Sequence, residues 1–88
     1  MHEMHLINSL MNKIDSIASQ NGGKRVSRVH VRLGAFSHIS ADHFREHFDE
    51  AAKGGVAQDA RLEISEDTDE TSPTAQDILL EAVDIETE

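Results

Sequence analysis

The chain contains no cysteine, no tryptophan and no tyrosine, and only one proline. Without cysteine it can form no disulfide, hold no zinc through thiolates and run no thiol chemistry. Phe36, Phe44 and Phe48 are its three phenylalanines among 88 residues, so the core has to be aliphatic. A chain of this length makes one small domain that hides only about 60% of the surface its unfolded form exposes. That leaves little material to wall a deep substrate cavity. Basic side chains are also scarce: 8 stand against 17 acidic ones, and the net charge of -9 opposes binding to nucleic-acid phosphates or anionic lipid. No apolar run approaches transmembrane length. The first twenty residues carry Glu3, Lys13 and Asp15 in place of a basic segment followed by an unbroken apolar one. The expectation is a cytoplasmic protein with neither a membrane nor a nucleic acid as partner.

The charge is uneven along the chain. Up to Gln58 there are 7 basic and 6 acidic residues, whereas from Asp59 onward 11 acidic residues face Arg61 alone. This C-terminal third reads as a solvated acidic strip. Its spacing fits no calcium loop.

Hydrophobic periodicity lays out five elements. Leu6, Ile7, Leu10, Met11, Ile14, Ile17 and Ala18 recur three and four apart, which predicts a helix from His2 or Glu3 to Gln20, stopped by Asn21-Gly22-Gly23. Arg25 to Leu33 then alternates, with Val29, Val31 and Leu33 on one face and Arg28, His30 and Arg32 on the other, the pattern of a half-buried strand. Ser40 can cap a second helix, Asp42 suits its positive end, and Ile39 can pack on Phe44. On that helix Ala41, Phe44, Phe48 and Ala52 share a face, and Gly54-Gly55 ends it near Lys53. Ala60 to Glu66 predicts a second strand burying Ala60, Leu62 and Ile64. Residues 67–74 hold the proline and no apolar side chain, and read as an exposed connection. Residues 77–86 predict a third strand, with Leu79, Val83 and Ile85 on one side and Ile78 and Leu80 on the other. A strand apolar on both faces at its start is expected to touch something beyond its own core. The economical packing is an α+β fold, a small two-layer sandwich in the order α-β-α-β-β, with two helices on one face of a three-stranded mixed sheet. Residues 1–88 form a single domain in this reading, and the other sheet face is open to water or a partner.

The chemistry worth weighing is histidine chemistry. A chain that starts Met1-His2 offers a metal the terminal amine, the amide nitrogen of His2 and its imidazole, a set suited to square-planar Ni(II) or Cu(II). A cation there meets the positive end of the helix dipole. The negative charge of a deprotonated amide and the carboxylate of Glu3 offset that repulsion. The amine must lose its proton, and a reference pKa of about 7.7 to 8.0 makes binding pH-dependent near neutrality. His5, one helical turn from His2, can add a further nitrogen, although a solvated histidine is the simpler account of it. His43-Phe44-Arg45-Glu46-His47 spells H-x-x-E-H, the spacing of an inverted zincin. Because Phe44 and Phe48 claim the core-facing stripe and the chain has no room for a protease cleft, catalysis is set aside and the protein is read as no enzyme. A surface metal site at His43 and His47 stays open. His30 and His38 read as solvent-exposed or partner-contacting. The glycine pairs follow helices, the wrong side for cradling phosphate.

Several stretches then fall together: Met1-His2-Glu3-Met4, Leu6 and Leu10, Lys24-Arg25-Val26 leading into the first strand, Leu33-Gly34-Ala35 at its exit, Ala60-Arg61-Leu62-Glu63-Ile64, and Val83-Asp84-Ile85-Glu86. In this order they resemble the HypA/HybF hydrogenase-maturation family over nearly the whole chain. The resemblance implies a metallochaperone-like nickel domain that holds Ni(II) transiently through the Met1-His2 segment, beside which Glu3 and His5 are the supporting groups read from the residues themselves. It implies delivery to a hydrogenase large subunit or another nickel enzyme, with a maturation GTPase as a further partner. Two departures matter. Family members insert a zinc domain with two Cys-x-x-C pairs between the second strand and the closing strand, where this chain has only the 67–74 connection, so no zinc is expected. His5 stands where the family usually has a small polar residue. The competing expectation is a metal-independent interaction module that kept the fold and lost delivery. The oligomeric state is left open.

Overall fold

A computed structural model describes residues 2–86, with side chains from His5 onward. The spacing of Ile7, Leu10, Met11, Ile14 and Ala18 folds as the helix α1 (His2–Gln20), and all five side chains are buried. Past its end Gly23, at φ 72°, donates its N–H to the Ala18 carbonyl at 2.8 Å. That left-handed position is one glycine takes without a Cβ penalty. The second helix, α2 (Ala41–Ala52), starts as the sequence indicates: the Ser40 hydroxyl accepts the His43 N–H at 3.1 Å and Asp42 occupies the first turn. Phe44, Phe48 and Ala52 are its buried residues, and the two rings lie 6.2 Å apart.

Three strands complete the domain: β1 (Val26–Leu33), β2 (Arg61–Glu66) and β3 (Ile78–Ile85). The sheet order is β2-β1-β3, with β2 parallel and β3 antiparallel to the central strand, which makes the sheet mixed as expected. Val29, Val31 and Leu33 point into the core between sheet and helices at 0 to 2% exposure. Arg28, His30 and Arg32 take the opposite face. Ile64, Ile78, Leu80, Val83 and Ile85, partly buried, pack around the edges of that core.

The faces of β3 differ from the alternation read off the sequence. Ile78 stands opposite buried Leu33 and Leu80 opposite buried Val31, while Leu79 pairs with outward-facing Arg32. The ladder skips Glu81 between Leu80 and Ala82, so one extra residue bulges out and shifts the phase of the strand. Ile78 and Leu80 therefore share the core face with Val83 and Ile85, and Leu79 is left on the outward register with Ala82 and Asp84. A second irregularity at Ser27 explains why Val26 and Val29, three apart, are both buried on β1.

The 67–74 connection is tied down at both ends. Asp67 donates its N–H to the Leu33 carbonyl at 2.8 Å, and Asp77 accepts the Gly34 N–H at 2.9 Å. Between them the Asp69 carboxylate takes the Thr71 N–H at 2.9 Å and the Thr71 hydroxyl at 2.6 Å, which holds its pKa below the usual carboxylate range. Ala75, just beyond the connection, is buried against Gly34, where an added Cβ would collide with the Ala75 carbonyl. Gly34 is thus needed for close approach of backbone to backbone, at a φ any residue could take. Among the described residues no helix is long and apolar enough to cross a membrane.

Candidate metal centre

The first turn of α1 carries the backbone of His2 and Glu3, one turn before His5, whose side chain is exposed. Met1 and the side chains of His2 and Glu3 lie outside the described residues. Three of the buried positions that follow, Ile7, Leu10 and Met11, fix the helix against the sheet and against α2. The amino-terminal turn is thus an extension of a packed helix, and its direction is set by apolar residues that take no part in ligation. Among the described residues no group of three or more histidine, aspartate or glutamate side chains converges as a metal site.

The remaining histidines separate clearly. His38 sits in the loop after β1 with φ 62°. His30, on the open sheet face, pairs its Nε2 with the Ser65 hydroxyl at 2.7 Å and is half-buried. His43 and His47 are the two histidines that come together. Their Nε2 atoms are 2.9 Å apart, with ring centroids at 4.5 Å and planes tilted by 38°. In the H-x-x-E-H reading Glu46 would serve as the base, yet it is an exposed helix residue, and His43 beside it is exposed too. A hydrolase needs a walled substrate cleft around such a triad.

The acidic strip is more than a solvated surface. Arg28 Nε meets Asp84 at 2.7 Å and its Nη1 meets Glu63 at 2.5 Å, while Arg32 reaches Glu81 at 2.7 Å. Hydrogen bonding to Asp84, then to Glu63, holds the Arg28 guanidinium further above its ordinary pKa, and the same bond from Arg28 holds Asp84 below the usual carboxylate range. The sequence signal for this network was present: basic residues at the outward positions of the middle strand, acidic ones at the outward positions of the strands beside it. Reading the acidic third without its sheet partners missed it.

Two shallow grooves run where α1 lies along β3, one lined by Leu6, Ser9 and Lys13 with Asp77, Ile78 and Leu79, the other by Asn12, Ser16 and Ile17 with Leu79 and Leu80. Neither contains a histidine.

Comparison with known proteins completes the description of the site. The family described as hydrogenase/urease nickel incorporation, metallochaperone, hypA matches residues 1–72, a span that includes Met1-His2-Glu3 and His5. A hydrogenase maturation factor HypA of Rhodopseudomonas palustris (strain TIE-1) is 41% identical over 66 residues, which are 75% of this chain and 58% of the relative. The factor of the same description from Escherichia coli (strain K12) is 33% identical over 66 residues, 75% of this chain and 57% of the relative. The chain thus spans little more than half the length of the curated relatives it matches. The solution structure of the Ni metallochaperone HypA from Helicobacter pylori aligns with a TM-score of 0.80 over 98% of each chain at 18% identity, a likeness of fold.

Proposed function

The chain belongs to the HypA family of hydrogenase/urease nickel incorporation, and from that membership we propose that it binds Ni(II) transiently and releases it to a nickel enzyme under assembly. The observation that carries this reading is the family match beginning at Met1-His2-Glu3 on a helix of the expected kind. In it the Met1 amine, the His2 amide nitrogen and the His2 imidazole take three corners of a square-planar or tetragonal site. The Glu3 carboxylate supplies negative charge nearby, and His5 stands one turn along as a further nitrogen.

Nickel here is cargo. An open set of nitrogen donors at a chain terminus can be loaded and emptied without unfolding the domain, because the core residues that hold α1 in place do not change partners. The proton on the amine competes with the metal, so affinity rises with pH through the amine's titration range near neutrality. The recipient in this reading is a hydrogenase large subunit or another nickel enzyme, with a maturation GTPase as a second partner. Residues 1–88 act as the nickel domain, and the short 67–74 connection occupies the place of the family's zinc insertion. With no cysteine in the chain, thiolate zinc has no ligands here.

Calorimetry with Ni(II) on a chain whose Met1 amine is free tests the proposal. Tighter binding by the unaltered chain than by a His2→Ala variant is expected, and equal binding sinks it.

A second reading, a metal-independent interaction module, draws on one observation: β3 lies at the sheet edge, with Leu79 on its outward register beside the α1 grooves. It predicts co-purification with a larger protein that survives His2→Ala and is lost with Leu79→Glu. Because Ile78 and Leu80 belong to the core, changes there would report on folding instead. A clean monomer that retains nothing on affinity purification would remove this reading.

A further inference from the structure

We propose that His43 and His47 form a second divalent-metal site, separate from the amino terminus, for cations that accept imidazole nitrogen, Ni(II) and Cu(II) among them. The two residues lie four apart on α2, on the flank that borders the buried Phe44, Phe48 and Ala52 stripe, with His43 exposed and His47 half-buried. That stripe is buried, and Ser40 closes the first turn on the His43 N–H. Arg45, between the histidines in sequence, donates from Nη1 to the Leu62 carbonyl at 3.1 Å and pins the helix to β2. The histidine backbones are therefore held by a capped and packed helix, and only the ring torsions are left to adjust.

The separation of the rings puts both donors within reach of one metal. At 2.9 Å between Nε2 atoms, one ring donates a hydrogen bond to the other and a single proton occupies the space between two lone pairs. Metal–imidazole bonds run to about 2.0–2.1 Å. Two such bonds meeting at a right angle place the nitrogens about 2.9 Å apart, whereas the tetrahedral angle requires about 3.3 Å. Small rotations of the rings reach either span. A metal shared by both nitrogens sits to the side of the line joining them, so binding displaces the shared proton and turns the rings outward. The soft torsion of an imidazole about its ring bond allows that.

The surroundings favour a cation. Glu46 follows His43 by three residues and Glu50 follows His47 by three, which puts both carboxylates on the same flank of the helix. Glu50 also holds Lys53 at 3.0 Å. Asp42, in the first turn, offsets the positive end of the α2 dipole near His43. Imidazole nitrogen excludes hard cations such as Mg2+ and Ca2+, which take oxygen ligands. Two protein donors leave the other coordination positions to water or to a donor on another molecule. The site is therefore a labile holding point, weaker than the amino-terminal one, and does not depend on that one being real.

Calorimetry tests it on the full chain, with Ni(II) as the probe and circular dichroism to verify folding. In a His2→Ala background one Ni(II) per chain is expected to remain, bound at least tenfold more tightly than by the same chain carrying His43→Gln and His47→Gln. Either glutamine change alone is expected to remove as much affinity as both, since a chelate needs two arms, and Mg2+ is expected not to compete. Unchanged Ni(II) binding by the doubly substituted chain overturns the proposal. So does loss of all binding with His2→Ala alone. Should the double variant fail to fold, Ni(II) is added to the unaltered chain and imidazole resonances are followed by NMR. Shifted or broadened resonances at His43 and His47 together sustain the site, and changes confined to His2 and His5 overturn it.

Discussion

The inward and outward faces of β1 come from the same eight residues, yet they are held by different physics. Inward, Val26, Val29, Val31 and Leu33 meet both helices in a core with no buried polar or charged residue among the described residues. Outward, Arg28, His30 and Arg32 are tied across the strands to Glu63, Asp84, Ser65 and Glu81. The inward face depends on volume and shape, because close-packed side chains lose both transfer energy and contacts when shortened. The outward face depends on charge, ionic strength and pH, because its pairs are exposed enough for solvent to screen them. A strand with one face of each kind can be altered for interaction on one side without disturbing folding on the other.

The largest effect that tests this contrast is expected from the core. Phe48→Ala should lower stability by about 3 to 5 kcal/mol in urea unfolding, enough to leave a domain of this size marginal. A much smaller loss would mean that α2 contributes little to the fold. Next comes the sidedness of β3. Leu80→Asp should cost about 2 to 3 kcal/mol, whereas Leu79→Asp, one residue away, should leave the urea midpoint nearly unchanged. Equal effects would erase the phase shift at Glu81. Gly34→Ala is expected to cost about 1 to 3 kcal/mol, since the new methyl group must push the Ala75 backbone away. Proteolysis within 67–74 should accelerate in that variant.

The smallest effect belongs to the open face. Arg28→Ala should shift the midpoint slightly at low salt and less at high salt. Asp84 has its pKa lowered in the folded chain, so its contribution is present above the unfolded carboxylate value near about pH 4 and is lost as the pH falls through the folded value. Urea midpoints measured from pH 5 down to pH 2 should therefore fall more steeply for the unaltered chain than for Arg28→Ala. Parallel curves would show that the pair contributes nothing.

How much of this was legible in the sequence follows from the same physics. Ile7, Leu10, Ile14 and Ala18 on α1, and Phe44 and Phe48 on α2, announce their elements because helical spacing and burial have one cause. The order of elements and the mixed sheet were legible for the same reason. The bulge at Glu81 was not, because one inserted residue makes a one-sided strand look two-sided, and only the cross-strand register reveals which residue lacks a partner. Ala75 could not be read as buried, since a small apolar residue beside a turn carries no period. The histidine pair on α2 was legible as spacing, but its 2.9 Å bite depends on ring torsions that spacing does not fix. At the amino terminus the sequence named donor types and left their geometry open, as a single histidine must.

The double tether at the end of β1 has a consequence for how this domain can change over time. The backbone leaves β2 beside Leu33 and enters β3 beside Gly34, so the two ends of the 67–77 excursion are held on either side of the same turn of chain at the end of β1. Whatever polypeptide runs between two adjacent points has its ends already brought together. Lengthening it then adds a penalty that grows only with the logarithm of its length, about 0.6 kcal/mol for each doubling. The end of the central strand thus behaves as a socket: segments can be gained, shortened or exchanged there by evolution or by an engineer while the layers beneath keep their register.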